Sequence, residues 1–200
     1  MSGIASLVAG LLIVLTALGL AAAAGLRVFL PLFLAGLAGR FEWAPLHENF
    51  EWLASTPALV AFGIASLVEI ASYHVPLVDH LLDTLAVPAA AIAGAAVSLA
   101  VLVEFDPWLR WSLAVIAGSG LAASIRVPIA GARAASTVTT AGVGNQALAL
   151  LESLGATVLS FLAVLLPLAI LPVLVVLLAC VVLLWRRIGP GRTKRLPSAP

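Results

Sequence analysis

The sequence predicts an all-α fold: a polytopic helical bundle in a membrane, with about six spans, broken or re-entrant helices and an internal inverted repeat. Three observations carry this. The residues are 63% hydrophobic and 10% charged, whereas soluble domains average about 45–50% apolar and about 25% charged. Charge-free runs of spanning length recur along the chain. Prolines and glycines interrupt these runs beside charged residues.

Ile4–Leu26 is uncharged over 23 residues, and a span needs about 20. It lacks a positively charged start, and it is longer than the roughly 7–15-residue apolar core of a signal peptide. It therefore reads as a retained first transmembrane helix. Arg27 separates it from Val28–Gly39. Gly25 and Pro31 flank that arginine, so a break is expected there. Leu53–Val68, Thr84–Val103, Trp111–Ile125 and Ala134–Leu151 are the next uncharged runs. The last of these contains STVTTAGVGNQ, polar backbone that is stable at membrane depth only when buried in protein or lining a cavity. Ser153–Trp185 is uncharged over 33 residues. Its Pro167 and Pro172 predict a kink or a helical hairpin.

Residues 1–188 read as one transmembrane domain and residues 189–200 as a basic tail. Five of the ten Lys and Arg residues follow Trp185, which predicts a cytoplasmic C-terminus. The loop Arg40–Thr56 carries Glu42, Glu48, Glu51, Trp43 and Trp52 and reads as an extracytoplasmic segment at the interface. Trp108 and Trp111 flank a second interfacial connection. Arginine-rich basic content and abundant alanine point to a GC-rich bacterial genome, hence to a multi-pass protein of a bacterial inner membrane. The tail is expected to meet anionic lipid headgroups. A homo-oligomer or a membrane-protein partner is a further expectation. Nothing points to nucleic acid, because the basic residues form no soluble face. Cys180 sits in the run LLACVVLL and reads as a small apolar residue.

Ala23-Ala24-Gly25-Leu26-Arg27-Val28 resembles Ala122-Ala123-Ser124-Ile125-Arg126-Val127, and each arginine is followed by a proline, Pro31 or Pro128. Leu67-Val68-Glu69 resembles Leu150-Leu151-Glu152. Residues 15–103 and 115–185 are thus expected to be repeats, the first carrying the Arg40–Thr56 loop as an insertion. Internal repeats with broken helices place sites at the repeat interface.

The segments AAGLRVFLPLFLAGLAGRF, LVEIASYHVPLVDHLLDTLAVPAAAIAG and RAASTVTTAGVGNQ, with the glutamate that follows, resemble the bacterial membrane family of domain of unknown function 4126. The resemblance covers nearly the whole chain and leaves out the tail after Trp185. It implies a compact multi-span membrane domain and assigns no activity.

Ionisable residues inside a membrane are costly and tend to be functional. Arg27, Glu69, Arg126, Arg133, Asn145 and Glu152 form the expected substrate- or ion-binding set. The arginines could bind an anion bidentately. The plain alternatives are structural ion pairs and snorkelling. Asp79 and Asp83 are four apart, so a helix puts both on one face, where they could hold a hard cation such as Mg²⁺. Their alternative is the wet face of an interfacial helix. HExxH, GxSxG and Walker patterns are missing, and no cofactor is expected. The leading reading is a small transporter or permeation protein for an ion, a small anion or an anionic lipid headgroup. One rival is an enzyme on a phosphate-ester lipid, using Asp79, Asp83 and Mg²⁺. The other is a non-catalytic assembly partner.

Overall fold

The computed structural model describes residues 2–72 and 76–188, without the side chains of residues 2, 72–84, 181 and 184–188. Among the described residues every regular element is helical. In chain order these are α1 (Ser2–Leu26), α2 (Phe29–Arg40), α3 (Thr56–Ser72), α4 (Pro76–Val101), α5 (Pro107–Ser112), α6 (Ser119–Thr140), α7 (Val143–Leu165) and α8 (Pro167–Ile188). A 3-10 turn, Glu48–Ala54, leads into α3. A π-helical segment, Leu113–Gly118, joins α5 to α6, making Pro107–Thr140 one helix of 34 residues. Gly3–Leu26, Pro107–Thr140 and Val143–Leu165 are long and apolar enough to cross a membrane. The bent pair Glu48–Ala54 and Thr56–Ala71 makes a fourth if it counts as one span.

Side-chain size is sorted as a bilayer demands. The core is rich in alanine, including Ala21, Ala24, Ala90, Ala122, Ala156 and Ala163, while Leu7, Ile92, Leu151, Leu154, Leu168 and Val176 face outward. Lipid tails are as apolar as leucine, so helices associate through close packing of small residues, not through burial of large ones. Gly94 of α4 faces Gly118 O and Ala122 Cβ, and a Cβ built on Gly94 would stand 2.6 Å and 2.7 Å from them. Gly25 of α1 is as tight against α6, with Ala122 O at 2.6 Å from its built Cβ.

The chain reverses at Arg27. Leu46 packs on Gly39 near the end of α2, and the neighbouring His47 N–H donates to Ala100 O in α4 at 2.7 Å. Ser98, half a turn before Ala100, donates its hydroxyl to Ala17 O in α1 at 3.5 Å. The end of α2 is therefore back near the level of Ala17. Ten residues of α1 cover ~15 Å and the twelve of α2 ~18 Å, so the two arms match. α1 and α2 form a helical hairpin with Arg27 at its tip, where the Gly25–Pro31 interruption predicts a break. α3 runs antiparallel to α2, with Gly63 against the Phe33 ring. The chain breaks between α7 and α8 at Leu166, where a kink or hairpin is expected, and Pro167 has no N–H to lose at a first helical position. Between α6 and α7, Ala141 and Gly142 take φ values of 52° and 87°, left-handed backbone that glycine adopts readily.

Two expectations need correcting. The uncharged runs Trp111–Ile125 and Ala134–Leu151 are not separate elements, because α6 continues through Arg126 and Arg133 to Thr140 and α7 continues through Glu152. Buried, paired charges do not end a helix. The packing also does not carry the inverted repeat. α1 and α6 run side by side in one direction, Val14 and Leu113 lining one small cavity and Leu26 meeting Arg126. α3 and α7 run in opposite directions: Glu69, late in α3, reaches the tip of the hairpin, whereas Ala163, late in α7, packs on Gly19. One rotation cannot satisfy both relations. The α2 arm, present in the first half only, turns the following helix around.

Candidate functional site

A break in a helix exposes N–H groups on one side and C=O groups on the other. Here both sides are met by charged side chains from distant helices. Val28, the residue before α2, has no side chain able to cap it. Glu69 of α3 does so instead: Oε1 accepts from Val28 N–H at 2.8 Å and Oε2 from Phe29 N–H at 3.1 Å. A carboxylate is favoured there by the helix dipole as well. On the other side, Leu26 O at the end of α1 accepts from Arg126 Nη1 at 3.1 Å.

Arg126 also donates from Nη1 to Glu152 Oε2 at 3.3 Å. Arg133 Nε donates to Glu152 Oε1 at 2.8 Å. Two arginines of α6, seven residues apart, thus close on one carboxylate of α7. The sequence-based expectation that they share a face holds because α6 stays helical past Pro128. Arg27 Nη2 donates to Ala149 O of α7 at 2.7 Å. Arg27, Arg126 and Arg133 are 1%, 2% and 1% exposed, and rank as the largest fully buried side chains. Glu69 and Glu152 are buried with them. Burial of this kind is stable only because the charges are paired and hydrogen-bonded. In the 34-residue helix Arg126 stands ~28 Å from Pro107 and ~21 Å from Thr140, well away from either end.

Asn145 lies on the same face of α7, two turns before Glu152. Its Nδ2 donates to Thr137 Oγ1 at 2.9 Å. The Thr137 hydroxyl gives its one proton to Arg133 O at 3.0 Å, so toward Asn145 it can only accept. The amide orientation is fixed by that, and Asn145 Oδ1 is left buried without a hydrogen-bond partner. The other hydroxyls of STVTTAGVGNQ bond their own helix: Thr139 to Ala135 O and Thr140 to Ser136 O. They sit at the end of α6, mostly exposed, and do not converge on the charged cluster as a substrate site would require.

Asp79 and Asp83 fall in the first turns of α4, where side chains lie outside the description, as does His74 altogether. Among the described residues no group of three or more His, Cys, Asp or Glu is placed to hold a metal. The basic tail, residues 189–200, is outside the described residues too. Cys180 is exposed on α8. The sequence reading missed Arg110, which is buried on α5. It also missed the hydroxyls of Thr16, Ser98 and Ser160. Thr16 Oγ1 reaches Leu12 O and Ala163 O, each at 3.0 Å. Such residues carry no signal in a chain full of small residues, since only packing tells inward from outward.

Fold and site together define a helical membrane protein with a buried charged cluster at the tip of the α1–α2 hairpin. Residues 14–187 match the family described as Domain of unknown function (DUF4126), and the chain belongs to that family. Searches of curated proteins and of solved structures return no match.

Proposed function

We propose that the protein is a small transporter or permeation protein of the plasma membrane whose site is the α1–α2 break and whose solute is a small anion. The observation that carries this is the capping of both half-helix ends by charged side chains from other helices. Helix N-termini bind anions through free N–H groups and the dipole, and discontinuous helices are where transporters place their sites. Glu69 holds the position such an anion would take, beside the buried Arg27 and Arg126. An entering carboxylate or phosphate exchanges with Glu69 at the Val28 and Phe29 N–H groups.

The proposed topology has five crossings, by α3, α4, α5–α6, α7 and α8, plus the re-entrant α1–α2 hairpin, within one of the six the sequence suggests. The tail is cytoplasmic and the Arg40–Thr56 loop extracytoplasmic. The five basic residues after Trp185 support the cytoplasmic side for the tail, and the exposed Trp43 and Trp52 support an interfacial place for the loop. A phosphatase reporter inserted in the loop is expected to be active and one fused after Pro200 inactive; the reverse pattern refutes this topology.

Purified protein in liposomes tests the function. Formate, acetate, chloride or phosphate flux is expected to exceed that of protein-free liposomes, to change with Glu69→Gln, and to fall at least tenfold with Arg126→Gln. Folded wild-type protein that passes none of these anions sinks the transport reading and leaves the assembly-partner role.

A further inference from the structure

Arg110 stands apart from the central cluster. It is 8% exposed, yet among the described residues no hydrogen bond or ion pair engages its guanidinium, and Nε is sealed from solvent without an acceptor. A guanidinium carries five N–H donors and stays charged. Burying one without acceptors is unfavourable; only Nε is sealed, so the outer nitrogens stay open to an acceptor from outside the described residues.

Its neighbours say what kind. Trp108 and Trp111, 80% and 55% exposed, flank it on α5. Exposed Trp43, Trp52 and Phe41 belong to the same end, because His47 is bonded to Ala100 at the end of α4. Exposed aromatics gathered at one end of a membrane bundle mark the headgroup level. The anion present in quantity at that level is a lipid phosphate, which arginine binds bidentately. Asp106, one turn before Arg110, and Glu104 are exposed on the same connection. They repel a net-negative headgroup and attract an ammonium.

We propose that Arg110 seats the phosphate of a zwitterionic lipid headgroup, with Asp106 facing its ammonium. This stands independently of the transport reading, since neither residue touches the α1–α2 break.

The test is thermal unfolding of the full chain in detergent, titrated with phosphatidylethanolamine, phosphatidylglycerol or inorganic phosphate. Phosphatidylethanolamine is expected to raise the wild-type Tm by roughly 2–4 °C, phosphatidylglycerol by less, and inorganic phosphate not at all. Arg110→Gln is expected to lose the increment. Asp106→Asn is expected to bind both lipids alike, and it carries the test should Arg110→Gln fail to fold. An unchanged phosphatidylethanolamine response in Arg110→Gln overturns the proposal. So does an unchanged lipid preference in Asp106→Asn, and so does a shift reproduced by inorganic phosphate alone, which would mark a free-anion site.

Discussion

Glu152→Ala is expected to remove most of the folded protein. The carboxylate takes Arg133 Nε at 2.8 Å and Arg126 Nη1 at 3.3 Å, and both arginines are almost fully buried. Deleting one partner of a buried ion pair leaves charge without compensation, a loss of about 3–5 kcal/mol, against a total stability of only about 5–15 kcal/mol for a typical domain. Here one deletion affects two cations. Arg126 also has Leu26 O as an acceptor, and the Arg133 contact is the shorter of the two at 2.8 Å against 3.3 Å, so Arg133 should carry the larger share of the loss. The double variant Glu152→Gln with Arg133→Gln is therefore expected to unfold later than Glu152→Ala alone. Folded yield and Tm in detergent measure this. Strictly additive losses would mean that the three side chains are not energetically coupled, and the cluster would lose its standing as a built core.

The second large effect concerns backbone contact between helices. In Gly94→Ala the new methyl meets Gly118 O and the Ala122 methyl at 2.6 and 2.7 Å, and neither can swing aside as a long side chain would. The same holds for Gly25→Ala, 2.6 Å from Ala122 O and 2.8 Å from Ile125 Cβ. Each is expected to cost about 1–3 kcal/mol by overpacking. Gly120→Ala and Gly131→Ala on the same α6 face open space, with nothing within 4 Å. These two should be neutral, or stabilising by up to about 1 kcal/mol, through helix propensity. Because Gly25 and Gly94 both press on Ala122, their double variant should be non-additive. A Gly94→Ala protein that unfolds with Gly120→Ala would show that α4 and α6 do not rely on this approach.

The sequence by itself determined the solvent, the helical class, the breaks at Arg27 and before Pro167, and the five charges of the central cluster. Each of these is local chemistry. A run of apolar residues cannot face water, a proline lacks its N–H, and a lone charge inside an apolar run demands a partner. The Arg126–Glu152 pair was legible for that reason, and so was the shared face of Arg126 and Arg133. What only the tertiary structure decided is non-local. Treating charges as span boundaries cut α6 and α7 in the wrong places, because a charge that is paired inside the bundle sits as well within a helix as at its end. The two oxygens of Glu69 cap α2 at Val28 and Phe29, some forty residues away in sequence, a role that the expectation of an arginine partner did not include. That cap exists only because the chain reverses at Arg27 and α3 lies against α2. The paired AAxxRV and LxE segments are real likenesses in sequence, but local likeness fixes no direction. The additional α2 segment reverses the helix that follows it, so the two glutamates reach the cluster from opposite ends.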